Sequence, residues 1–108
     1  MSGAVTAQAA LLGVALATGC VAAQERAALI ARGQEVFMEQ GCHGCHTVGK
    51  MGTALAGDLS RIGAKYPEAL LSQWLRDPAG QRPTAHMPRI TLGDDEVRTL
   101  AAYLASLQ

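Results

Sequence analysis

An all-α fold is what this sequence predicts, and three observations carry that expectation. Apolar residues recur at helical spacing in three separate segments, each with start or stop signals of its own. Glycine and proline cluster between those segments, and no alternation of apolar and polar residues interrupts them, so no strand is required anywhere. All charged residues lie between Glu25 and Arg98, which sets an uncharged N-terminal stretch apart from one small domain.

Residues 1–23 are dominated by alanine, with Leu11, Leu12, Val14 and Leu16 at the apolar centre. They read as a signal sequence or an N-terminal membrane segment, although the usual Lys or Arg near the start is missing. Ala17-Thr18-Gly19-Cys20 resembles a lipoprotein processing box, which makes Cys20 the candidate lipidation site. Acyl chains contribute about 0.8 kcal/mol per buried CH2, so two or more would hold a domain stably at a membrane. An uncleaved helix is the rival form of attachment, and cleavage after Ala23 would instead release the domain and remove Cys20. The domain itself is expected over residues 24–108.

Its first helix is predicted over residues 25–40, where Ile30, Phe37 and the alanines form an apolar stripe and Gly41 is placed to end it. Gly33 lies inside. An interior glycine costs about 0.5–1 kcal/mol relative to alanine, so its expected use is close approach by another helix. The second helix is predicted to start at Pro67, which is tolerated at a first helical position, and to end where Asp77 precedes Pro78. Leu70, Leu71, Trp74 and Leu75 make its buried face. The third is predicted over residues 94–107, with Val97, Leu100, Ala101, Leu104 and Leu107 at helical spacing and Asp94, Asp95 and Glu96 complementing its N-terminal dipole. Gly93 is its expected cap, and Leu92 with Val97 a hydrophobic staple.

Two loops remain. Residues 47–66 are rich in glycine and alanine, with Leu59 and Ile62 compatible with one helical turn. Residues 77–92 contain Pro78, Gly80, Pro83 and Pro88 and are expected to lack regular structure. A structureless loop of about 15 residues is ordinarily functional or disordered.

The chemistry concentrates in Cys42-His43-Gly44-Cys45-His46. Two thiols one helical turn apart, followed at once by an imidazole, read as a c-type haem attachment site, each thiol reaching one vinyl group on the same porphyrin edge. Two other readings compete. A thioredoxin-like dithiol would want a βαβ pattern nearby, and a zinc site would want a second Cys/His pair, and neither context exists. Cys42 and Cys45 are thus the expected covalent links to one haem c, and His46 the expected iron ligand. For the opposite face the ligand is expected to be Met87, stiffened by Pro88 in the second loop, because Met51 is too close to His46, Met38 belongs to the first helix and Met1 to the N-terminal segment. His86 is the alternative, giving bis-histidine iron. Gly57, Leu59, Ile62, Leu70, Trp74 and Pro88 are the expected contacts around the group. His43 is expected at the surface, and Arg76, Arg82 and Arg89 are left as ordinary solvated charges.

With aromatics at 4% a conventional core would be thin, and a chain of this size usually needs a staple. A porphyrin would supply one. The 9 basic and 9 acidic residues cancel, which argues against nucleic acid as a partner.

The chain resembles the small bacterial class I c-type cytochromes over about residues 25–108. The likeness rests on Cys42-His43-Gly44-Cys45-His46, Met87-Pro88, Gly33 with Phe37, and Leu100 with Tyr103. It implies a small class I cytochrome c fold, with three main helices plus a short helical turn wrapped around one haem. It also implies that Gly33 and Phe37 meet Leu100 and Tyr103 where the terminal helices cross. One departure lies at Ala56-Gly57-Asp58-Leu59, where the family usually has proline at the position of Gly57. The carbonyl there would accept a hydrogen bond from the iron-bound histidine, and glycine retains it.

With both axial positions filled by protein, one-electron transfer is the reaction that remains, so the expected role is a carrier between redox proteins and not an enzyme by itself. The expected place is the periplasm or the outer face of the cytoplasmic membrane, with the N-terminus attached. Two alternatives stand beside it: a haem subunit of a membrane oxidoreductase, and a haem-based ligand sensor or peroxidase in which Met87 dissociates.

Overall fold

The computed structural model describes residues 2–108, with side-chain surroundings from residue 18 onward. The expectation for the apolar centre at Leu11, Leu12, Val14 and Leu16 therefore lies outside the described side chains. The chain forms α1 (Ser2–Glu39), a 3-10 turn (Cys42–Gly44), β1 (Thr47–Val48), β2 (Met51–Gly52), α2 (Ile62–Lys65), α3 (Glu68–Arg76), α4 (Pro78–Gln81) and α5 (Asp94–Ser106). The fold is all-α as predicted, apart from one two-stranded hairpin.

α1 begins well before the predicted start at Glu25. Alanine-rich sequence offers no stop signal there, so the helix runs through the expected domain boundary, and its residues 18–28 are exposed. Among the described residues no helix is long and apolar enough to cross a membrane. Its C-terminal end is where Gly41 was expected to put it: Gly41 takes a left-handed φ of 73°, and its N–H donates to the Met38 carbonyl at 3.1 Å.

The core forms where α1 crosses α5. Val36, Phe37, Val97 and Leu100 are essentially inaccessible, joined by Leu71 and Leu75 of α3 and by Ala101, Tyr103 and Leu104. Each such aliphatic or aromatic side chain contributes about 1.5–3 kcal/mol on burial. A Cβ on Gly33 would collide with the Thr99 carbonyl and with Tyr103 Cβ, which is the close approach the sequence called for. One turn on, the Phe37 and Tyr103 rings meet at 5.5 Å with an interplanar angle of 61°. The buried Thr99 hydroxyl donates to the Glu96 carbonyl at 3.1 Å, so it costs the crossing no unpaired group.

α5 starts as expected: Glu96 Oε1 accepts from the Gly93 N–H at 3.0 Å. α3 starts one residue later than predicted, with the extended Pro67 (φ −70°, ψ 154°) as its cap. Exposed ion pairs join Arg26 to Glu68 and Arg76 to Asp94, tying α1 and α5 to the two ends of α3. Pairs this exposed contribute at most about 1 kcal/mol each.

Two loop expectations are corrected. Residues 77–92 do contain regular structure, because Asp77 caps α4 through Oδ1 to the Gly80 N–H at 3.2 Å and Pro78 opens its first turn. Residues 47–52 form a hairpin, pairing Thr47 with Gly52 and Val48 with Met51. Gly49 has φ +59° while Lys50 does not, the pattern of a two-residue II′ turn led by glycine. Strands two residues long are too short to show any alternation.

Candidate functional site

The turn after Gly41 places the two cysteines and His46 together. The Cys45 and His46 amides both donate to the Cys42 carbonyl, at 3.3 and 3.0 Å, so the five residues close into one tight coil. Cys42 is half-buried, and that burial pushes its thiol above the usual range, with Cys45 adding to the effect. It is therefore a protonated thiol at neutral pH. Cys45 is exposed, and all three cysteines are free thiols.

His46 has a defined orientation. Its Nδ1 lies 2.7 Å from the Gly57 carbonyl oxygen, which can only accept, so Nδ1 carries the proton and Nε2 keeps a free lone pair. Gly52 permits the backing: at φ +101° it lets the hairpin close against the His46 carbonyl, where any Cβ would collide.

The Gly57 segment is strapped to the histidine segment on both sides. Ala56 N–H donates to the Cys45 carbonyl at 2.7 Å and Leu59 N–H to the Thr47 carbonyl at 2.8 Å. Between them Asp58 Oδ1 accepts from the Thr47 hydroxyl at 2.8 Å, the Ser60 hydroxyl at 2.7 Å and the Ser60 amide at 3.3 Å. Those bonds, the Ser60 hydroxyl foremost, hold the Asp58 carboxyl below its ordinary pKa. Ser60 Oγ in turn accepts from the Gly49 amide at 2.7 Å, joining the hairpin turn to the strap.

A cavity of about 550 Å³ opens beside this coil. Cys42, His46 and Gly57 form part of its wall, Leu59 and Ile62 another part, α3 contributes Leu70, Leu71, Trp74 and Leu75, and Met87 closes it. Phe37, Leu100 and Leu104 extend the helix crossing into its wall. Met87 is held there by the Trp74 indole N–H, which donates to Sδ at 3.1 Å. Trp74 thus lines the cavity as expected and has a specific acceptor as well.

Of the sequence-predicted residues, the structure brings Cys42, His46, Gly57, Leu59, Ile62, Leu70, Trp74 and Met87 to one cavity. Pro88, expected to contact the group, does not line the cavity and is exposed, so it bears on the site only as the neighbour of Met87. Leu70, expected to be buried, is 40% exposed because it faces the open cavity. Cys20 is exposed on α1, away from the lining. His43, expected at the surface, is half-buried with its ring edge-on to Phe37 at 4.7 Å. Arg82, left as a solvated charge, lines the cavity as well, as do Tyr66 and Gln81, which nothing in the local sequence marks for it. Among the described residues no three His, Cys, Asp or Glu side chains gather as a metal-ion site.

The volume lies within the range of small-molecule and cofactor sites, and the lining suits a flat, largely apolar macrocycle. Leucines and an isoleucine face it. The histidine nitrogen and the methionine sulfur are iron donors, and a thiol stands in the same wall. The residues present fit a haem.

Comparison with known proteins agrees. The family model for cytochrome c matches residues 30–108. A curated relative, cytochrome c oxidase subunit 2 of Alkalihalophilus pseudofirmus, is 35% identical over 86 residues, covering 71% of this chain and 25% of that protein. This chain therefore spans about a quarter of that relative's length.

Proposed function

Because the chain belongs to the cytochrome c family and works in haem-based electron transfer, we propose that it is a one-electron carrier holding one haem through Cys42 and Cys45, with His46 and Met87 as axial ligands. When bound, the haem supplies a reversible one-electron couple at its iron. The chain's residues supply the rest. His46 presents Nε2 with its other nitrogen anchored on Gly57, so the ring is oriented before any ligand arrives. Met87 presents a thioether sulfur restrained by Trp74, and a sulfur donor opposite histidine favours the reduced state. The leucine-rich wall excludes water, which favours the less charged centre. The observation that carries this reading is the convergence of Cys42, His46 and Met87 on one apolar cavity.

Intact mass after denaturation tests it first: the chain is expected to carry the mass of one haem, and an unmodified mass from matured protein would sink the reading. Met87→Ala is expected to abolish the weak red sulfur-to-iron absorption and lower the potential. If the parent lacks that band, and Met87→Ala changes nothing while His86→Ala opens the iron to ligands, the ligand pair is bis-histidine.

The likeness to an oxidase subunit favours a second reading, in which this domain serves as the haem-bearing part of a membrane oxidoreductase. Co-purification under mild detergent separates the two: a stable stoichiometric complex supports the subunit, and a lone domain the carrier. For location we place the domain on the outer face of the cytoplasmic membrane, attached by residues 1–23 or by acylated Cys20. The uncharged N-terminal stretch and the exposed Cys20 support that placement. Mass spectrometry of the N-terminal peptide tests it: acylated Cys20 or an intact Ser2 fits, and a mature start at Gln24 does not.

A further inference from the structure

The Gly57 carbonyl has to stay in place if it is to orient His46, yet it belongs to the residue least able to hold itself still. Nothing local requires glycine there. Its φ is not positive, and a Cβ would meet no atom within 4 Å. Glycine thus leaves the carbonyl free to swing, a freedom that costs ordering entropy in the folded state. The fixity must come from outside the residue.

Asp58 is placed to provide it. Its Oδ1 gathers the Thr47 hydroxyl, the Ser60 hydroxyl and the Ser60 amide, at 2.8, 2.7 and 3.3 Å. Thr47 immediately follows His46, and Asp58 immediately follows Gly57. One carboxylate therefore ties together the two backbone segments whose separation sets the His46 Nδ1 to Gly57 oxygen distance of 2.7 Å. The backbone bonds from Ala56 to Cys45 and from Leu59 to Thr47 fix the ends of the strap, and beside the His46 bond itself Asp58 ties its middle to Thr47.

We propose that Asp58 is a positioning residue for His46, holding the Gly57 carbonyl at its hydrogen-bond distance and so setting the donor strength of the ring. This rests on the proposed ligation by His46. A firm bond at Nδ1 pushes electron density toward Nε2 and favours ferric iron, so loosening it raises the reduction potential.

Holoprotein with the full chain is the material for the test, read by reduction potential and by NMR exchange of the His46 Nδ1 proton in the reduced state. Asp58→Ala is expected to raise the potential and speed that exchange. Asp58→Asn, which keeps an oxygen acceptor but no charge, is expected to stay near the parent. Adding Gly57→Pro to Asp58→Ala is expected to restore both readouts, because the position has open space and its amide donates to no backbone carbonyl. Thr47→Val keeps the carboxylate while removing its Thr47 partner, so it is expected to shift both readouts in the Asp58→Ala direction even if Asp58→Ala fails to mature. Unchanged values in Asp58→Ala or Thr47→Val would overturn the proposal. An Asp58→Asn shift as large as that of Asp58→Ala would overturn it too, since charge would then be the cause, and so would failure of Gly57→Pro to restore. Failure of the ligation itself appears separately, in the parent protein, as the absence of a haem-shifted His46 resonance.

Discussion

The two sides of the cavity are built in opposite ways. On the His46 side, the coil from Cys42 to Ser60 is cross-linked by backbone bonds from Leu55, Ala56 and Leu59 and by the Asp58 cluster. On the Met87 side, α4 ends at Gln81, a last backbone bond runs from Ala85 N–H to the Arg82 carbonyl at 2.9 Å, and among the described residues none forms from His86 to Leu92. Met87 is held by a side chain, Trp74, and by the wall it packs against. Of the two proposed ligands, His46 is mounted on a hydrogen-bonded frame and Met87 on a loop whose opening breaks few bonds. Segments with few such bonds open at low free-energy cost, so the methionine side is the one expected to yield first.

That asymmetry can be broken from either side. The largest effect is expected from His46→Ala, which removes the framed histidine: the yield of covalently loaded protein by intact mass should collapse, whereas Met87→Ala should leave loading largely intact. If both variants load equally, the two sides are equivalent and the comparison fails. Next comes carbon monoxide binding to reduced Met87→Ala, expected to be fast and complete where the parent reacts slowly. A substitution at the helix crossing, outside the cavity lining, sets the control. Gly33→Val forces a side chain into the Thr99 carbonyl and should cost about 2–3 kcal/mol in urea unfolding without favouring either ligand. Trp74→Phe then sharpens the comparison, because it keeps the ring and removes the indole donor. About 1 kcal/mol should be lost from retention of Met87, seen as several-fold faster carbon monoxide binding, with the His46 proton unaffected. The smallest effect is a pH dependence on the framed side. Asp58 has its folded pKa below the unfolded value, so its contribution is complete above about pH 4 and is lost as pH falls through the folded value. The difference in unfolding midpoint between the parent and Asp58→Asn should therefore shrink on going from about pH 5 to about pH 3.

How much of this was legible in the sequence differs by the kind of signal. The helix crossing was legible in two parts: an interior Gly33 asked for close approach by another helix, and the resemblance to class I c-type cytochromes supplied Leu100 and Tyr103 as what it meets. The Cys42 to His46 coil was readable because its spacing is itself the chemistry. Asp77-Pro78 also carried a local signal, an N-cap followed by a first-turn proline, but Gly80, Pro83 and Pro88 after it masked one short turn. The hairpin at Thr47 was too short to alternate, and His43 was drawn inward by Phe37, a partner no local pattern could supply. The Asp58 cluster was the least visible part. A carboxylate reaching Thr47 depends on a return of the chain that only the folded backbone defines.

α1 passes from the exposed residues 18–28 into the core at Val36 and Phe37 without a proline or a break. At 1.5 Å per residue, Cys20 stands about 20 Å along the axis from Gly33, on a stiff rod instead of a leash. Gly/Ser-rich linkers let a tethered domain tumble and search a wide volume. A rod fixes both the height of the cavity above its attachment and the direction in which the cavity faces. Any anchor at Cys20 or before it would therefore present one constant aspect of the domain, and a redox partner would have to come to that aspect.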